Sequence, residues 1–176
     1  MVATVIDNKA KKIFNNFDID HDGAITKEDF DQMAHRLAAT LNIQPSSPQF
    51  RNMLESYAQV WAHLQAEADS NGDGAVTEEE YTAAFATPDF VRVLDHASEA
   101  EFNAADSDRD GALSVDELRR MLAAFGVPSP EIDNALRVLD ADGDGRVSRQ
   151  EYVRAWHQYY TDPNADAPIN KALGRI

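Results

Sequence analysis

Residues 140–151 read Asp-Ala-Asp-Gly-Asp-Gly-Arg-Val-Ser-Arg-Gln-Glu, and this stretch decides the fold. Acids occupy its first, third, fifth and twelfth positions, glycine the sixth, and an apolar residue the eighth. Three further windows repeat the pattern: residues 18–29 (DIDHDGAITKED), 69–80 (DSNGDGAVTEEE) and 106–117 (DSDRDGALSVDE). The starts lie 51, 37 and 34 residues apart. Six of the eight glycines fall inside the four windows and all seven prolines fall outside them. A recurring unit of this kind is one supersecondary motif used four times.

The windows resemble the calcium loop of the EF-hand superfamily, D-x-[DN]-x-[DN]-G-x5-E, with one departure: Asp29 stands where Glu is usual. The chemistry explains the spacing. Calcium is a hard cation that takes about six to eight oxygens at roughly 2.3–2.6 Å. Positions 1, 3 and 5 offer side-chain oxygens, position 7 a carbonyl, and position 12 two carboxylate oxygens. Position 6 turns sharply, which glycine does at little cost. The candidate ligands are Asp18, Asp20, Asp22, Ala24 and Asp29 in the first loop, and Asp69, Asn71, Asp73, Ala75 and Glu80 in the second. In the third they are Asp106, Asp108, Asp110, Ala112 and Glu117, and in the fourth Asp140, Asp142, Asp144, Arg146 and Glu151.

Fifteen of the 31 acids are thereby assigned to metal, four in each loop except the second, which has three. Four divalent ions would bring the net charge of −15 to −7. Three to four calcium ions are expected. Asp29 is one methylene shorter than Glu, so the first loop must contract to be closed by both oxygens; such a site favours magnesium or weaker calcium binding. Glu28 is no substitute, because one helical residue turns it about 100° away. Asn71 keeps an oxygen but loses a charge.

Position 8 is Ile25, Val76, Leu113 and Val147, which suits a short β pairing between neighbouring loops. Thr77 with Glu80, Ser114 with Glu117 and Ser148 with Glu151 each read as a capping box for the helix that follows. Closing the metal site and starting that helix are then one event.

The flanks carry helical periodicity. Ile13, Phe14 and Phe17 precede the first loop; Phe30, Met33, Ala34, Leu37 and Leu41 follow it. A stripe from Phe50 to Leu64 precedes the second, with Ser47-Pro48 as its start, and Thr87-Pro88 starts the helix before the third. The helix after the third loop should end through Phe125 at Gly126, and Ser129-Pro130 should open the next. The expected fold is all-α: four EF-hands, eight helices, two pairs (residues 1–87 and 88–176 with a C-terminal tail), and a β ribbon between the loops of each pair. The short turn Ala86-Thr87-Pro88-Asp89 and the 15 aromatic residues favour two halves packed as one body.

Within the superfamily the chain resembles calerythrin and the sarcoplasmic calcium-binding proteins. Lys11-Lys12-Ile13-Phe14, Asp18-Ile19-Asp20, Gly23-Ala24-Ile25 and Asp29-Phe30 carry that likeness, as do the long first gap and the tail Tyr159-Tyr160-Thr161-Asp162-Pro163. The resemblance implies a compact cytoplasmic calcium buffer or transporter whose tail packs back on the body. It also implies a degenerate second hand, whereas residues 69–80 look competent.

Composition excludes other classes. The absence of cysteine removes disulfides and thiolate sites. The acidic excess repels nucleic acid and anionic lipid. No apolar run approaches a membrane span, and Met1-Val2-Ala3-Thr4 shows neither a secretory signal nor a myristoylation glycine. The five histidines show no zinc-helix spacing, and no catalytic motif appears, so no enzyme is expected. Calmodulin-type sensors expose a Met-rich groove, whereas Met33, Met53 and Met121 sit at core spacing here. The reading is a monomeric calcium buffer; a sensor with a protein target is the alternative, and a photoprotein-like small-ligand carrier a distant third.

Overall fold

The computed structural model describes residues 4–85, 87–124, 127 and 129–173. Ala86, Phe125, Gly126 and Pro128 lie outside them, and with them the expected stop of the sixth helix.

The helices begin where the sequence places cap signals. Before α1 (Val5–Phe17), the Thr4 hydroxyl accepts the Asp7 N–H and the Asp7 carboxylate accepts the Thr4 N–H. α2 (Lys27–Thr40) leaves the first loop. Ser47 caps α3 (Pro48–Ala68) by accepting the Phe50 N–H at 3.1 Å. α4 (Glu78–Phe85) leaves the second loop, and Thr87 caps α5 (Pro88–Ala105) through the Phe90 N–H. α6 (Val115–Ala124), α7 (Ser129–Leu139) and α8 (Arg149–Thr161) complete the eight expected helices. A ninth, α9 (Pro168–Leu173), forms in the tail.

Neighbouring loops pair through their eighth positions. β1 (Ala24–Ile25) runs antiparallel to β2 (Val76–Thr77) with Ile25 opposite Val76. β3 (Ala112–Ser114) runs antiparallel to β4 (Arg146–Ser148) with Leu113 opposite Val147. These four side chains are fully buried. Each ribbon therefore pins two metal loops back to back over the core, and a shift of one residue in either would disturb its own buried apolar pair.

One hydrophobic cluster runs from Ala10 to Ile169 and includes residues of all four hands. α3 packs on α5 and α2 on α6, so the two pairs share their interior. Two aromatic contacts cross the division: Tyr81 meets Phe90 at 5.0 Å and Phe85 meets Tyr160 at 6.4 Å between ring centres, while Phe14 meets Tyr81 at 5.7 Å within the N-terminal pair. Such pairs add about 0.5–1.5 kcal/mol each beyond their burial. Met33, Met53 and Met121 are buried core fillers, as their spacing indicates.

The two ends of the chain are tied to this body. Lys9 on α1 is buried; its ammonium donates to the Tyr159 and Asp162 carbonyls, each at 2.5 Å, and lies 4.8 Å from the Tyr159 ring centre. Those carbonyls end α8, where helices lack internal donors and favour a cation. Burial pushes the lysine pKa down. α9 lies against α7 and α8, with Ile169 and Ala172 buried, as is Ala167 just before it. Asn170 fixes the preceding turn by donating to the Asp162 and Asn164 carbonyls.

Candidate metal centre

Each loop is wound by its own acids. The position-1 carboxylate accepts the position-6 glycine N–H in all four: Asp18 from Gly23, Asp69 from Gly74, Asp106 from Gly111 and Asp140 from Gly145. Position 3 accepts the N–H of position 5, through Asp20, Asn71, Asp108 and Asp142. Position 5 accepts that of position 7, through Asp22, Asp73, Asp110 and Asp144. The carbonyl residues Ala24, Ala112 and Arg146 stand in the ribbons, and Ala75 immediately precedes β2.

The position-12 carboxylate closes the ring. One Glu117 oxygen accepts the Ser107 N–H (2.9 Å) and hydroxyl (2.6 Å); the other accepts the Ser114 N–H (3.0 Å) and hydroxyl (2.8 Å). Glu80 repeats this with Ser70 and Thr77, and Glu151 with Ala141 and Ser148. The three expected capping boxes are reciprocal, since the hydroxyls of Thr77, Ser114 and Ser148 accept the N–H of Glu80, Glu117 and Glu151. Donors from the Thr77 N–H, the Ser70 hydroxyl and the Thr77 hydroxyl hold the Glu80 carboxyl at about 2. At Glu117 burial works against the charge, but donors from Ser107 and Ser114 outweigh it and again hold about 2.

Three acidic groups converge to within 4.8 Å among their oxygens: Asp18, Asp20 and Asp22; Asp106, Asp108 and Glu117; and Asp140, Asp142 and Glu151. Asp29 is not in the first group. One of its oxygens accepts the Ile19 N–H and the other the Thr26 N–H and hydroxyl, as Glu117 accepts from Ser107 and Ser114, so the missing methylene is what differs. In the second loop, where Asn71 replaces a carboxylate, Asp69, Asp73 and Glu80 form no such group among the described residues. Asp110 also stands apart, with one oxygen on Arg146.

The third loop tests whether a cation fits. Asp106 is 5 % exposed, and its Oδ1 is buried without a donor. A buried carboxylate oxygen is costly unless something positive meets it. With Asp108 and Glu117 alongside, the donors are all hard oxygens, which suit calcium or magnesium rather than soft or nitrogen-seeking metals. The fold also brings His63 and His96 into a stacked contact at 5.7 Å that sequence spacing did not suggest, yet no three-ligand group among the described residues includes a histidine.

A family model for the EF-hand domain pair matches residues 7–86 and again 95–156. The chain belongs to the EF-hand family. It is 24% identical to calerythrin of Saccharopolyspora erythraea over 167 residues, covering 91% of this chain and 94% of that one. A Streptomyces coelicolor calcium-binding protein, known for prokaryotic calcium-mediated regulation, superposes with a TM-score of 0.77 at 32% identity, covering 90% and 99% of the two chains. The amphioxus sarcoplasmic calcium-binding protein superposes at 0.76 with 24% identity, covering 97% and 98%. The chain is thus similar to both groups that its sequence resembles.

Two features of this EF-hand chain escaped the sequence reading. Arg146 reaches from the fourth loop into the third, and Asp29 closes the first loop on Thr26 much as the glutamates close theirs. The Thr26…Asp29 spacing could have shown the second; nothing local could have shown the first.

Proposed function

We propose that this protein binds calcium in its four loops and serves as a cytoplasmic, monomeric buffer that compacts on binding. The ligands are the five residues assigned to each loop above. The two pairs, residues 1–87 and 88–176, fill cooperatively within each ribbon. The third and fourth loops hold calcium most firmly, the second follows, and the first takes calcium weakly or accepts magnesium. Bound ions neutralise the clustered carboxylates, whose repulsion strains the empty loops. The chain's own residues do the rest: Glu80, Glu117 and Glu151 close the ring and start the exit helices in one movement.

The observation that carries the buffer reading is the filled interior. The exit-helix residues Phe30, Met33, Tyr81, Leu118, Met121 and Tyr152 are all buried in one core shared by both pairs. A sensor would need that surface to open, at the expense of contacts already made. Metal that binds only the folded form stabilises it by about 4 kcal/mol at a thousandfold excess over Kd.

A sensor role is the second reading, favoured by the Streptomyces relative and its calcium-mediated regulation. Titrating calcium at millimolar magnesium with a dye for apolar surface separates the two. A signal that falls with calcium supports the buffer; a signal that rises overturns it in favour of a sensor.

A further inference from the structure

We propose that Arg146 sets the calcium affinity of the third loop, as a fixed positive charge lent by the fourth loop to its neighbour. The inference rests on the calcium reading of the loops. Arg146 belongs to β4, opposite Ser114 of β3. Its Nη2 donates to Asp110 Oδ2 at 2.6 Å and to the Ala112 carbonyl at 2.9 Å. Those oxygens stand at positions 5 and 7 of the third loop and are two of its five candidate ligands. The guanidinium thus shares the ion's own oxygens. Its Nε, buried without an acceptor, is left unsatisfied to reach them.

The arrangement occurs once. The seventh residues of the other loops are Ala24, Ala75 and Ala112, which have no side chain able to cross a ribbon. Arg146 is also more strongly held as a cation by its hydrogen bond to Asp110, against some burial, with Asp108 and Glu117 adding to the field. All three acids are third-loop ligands. In the empty loop the guanidinium relieves repulsion among them. When a divalent ion arrives, the same charge opposes it. A unit charge about 6 Å from a divalent ion in a water-like medium weakens binding about tenfold. The backbone carbonyl of Arg146 meanwhile serves the fourth loop, so one residue belongs to both sites.

The test is calcium calorimetry on the full chain as wild type, Arg146→Gln and Arg146→Lys, each with and without Glu117→Gln to silence the third loop. Arg146→Gln should tighten one site about tenfold at low salt, and less at 0.5 M salt where screening is strong. Arg146→Lys, which keeps the charge, should stay near wild type, and the gain should vanish beside Glu117→Gln. Without calcium, Arg146→Gln should lower the melting temperature by about 2–4 °C as the loop's repulsion is uncovered. Unchanged or weaker binding in Arg146→Gln overturns the proposal, as does a gain that survives Glu117→Gln or is matched by Arg146→Lys. Wild-type protein that takes up no calcium overturns the calcium reading first, a result distinct from any of these.

Discussion

The first loop of each pair differs from the second more than the N-terminal pair differs from the C-terminal one. In loops one and three the end carboxylates are buried: Asp18 at 3 %, Asp29 at 2 %, Asp106 at 5 % and Glu117 at 3 % exposure. Their counterparts in loops two and four, Asp69, Glu80, Asp140 and Glu151, are only half-buried. Position 4 follows the same division. His21 and Arg109 hold positive φ (58° and 61°) in loops one and three, where loops two and four use Gly72 and Gly143. A side chain in that region costs energy that glycine avoids. Loops one and three are therefore the strained, desolvated members, and loops two and four the relaxed ones.

The largest test is Glu117→Gln. Removing the charge from a buried closing ligand should weaken the third site about a thousandfold, with a smaller loss for Glu151→Gln in the relaxed fourth. Equal losses by calorimetry would break the division.

Acid should not tell the two kinds of loop apart. Glu80 and Glu117 both stand at about 2 despite their different burial. A carboxyl lowered in the folded state stabilises it above the usual carboxylate range near 4.5 and loses that contribution as pH falls toward 2. In metal-free protein followed by carboxyl NMR, both should stay ionised down to about 2. A Glu117 that titrates at or above 4.5 would mean that burial outweighs the serine donors.

Asp29→Glu sharpens the comparison from the other side. It restores the missing methylene in a buried loop and should raise first-loop calcium affinity over magnesium about tenfold, read by calcium titration at fixed magnesium. No gain would show that the bonds to Ile19 and Thr26, rather than reach, keep residue 29 from the ion. The smallest change is Asn71→Asp. It returns one charge to a relaxed loop and should tighten it about threefold at low salt.

The sequence made the loops legible because ion coordination requires oxygens at fixed spacing, and the same spacing revealed the capping boxes and the ribbon register through Ile25, Val76, Leu113 and Val147. The helix starts at Ser47 and Thr87 were equally local. What stayed hidden depends on distance along the chain. Arg146 meets Asp110 across 36 residues, and which end carboxylates are buried depends on the packing of the whole body. Asp18 and Asp140 both open a D-x-D-x-D-G run, yet the first is buried and the second half-buried. The ninth helix was also invisible, since Pro168–Leu173 is too short for a periodicity and forms against α7 and α8.

The Lys9 tie bears on how the chain is made. Its ammonium is buried only when the Tyr159 and Asp162 carbonyls are present, 150 and 153 residues later. Synthesis at about 5–20 residues per second separates the two by roughly eight to thirty seconds. Through that interval α1 holds a lysine with no carbonyl to receive it. The first hand emerges first from the ribosome, yet its tie to the end of α8 waits for nearly the whole chain.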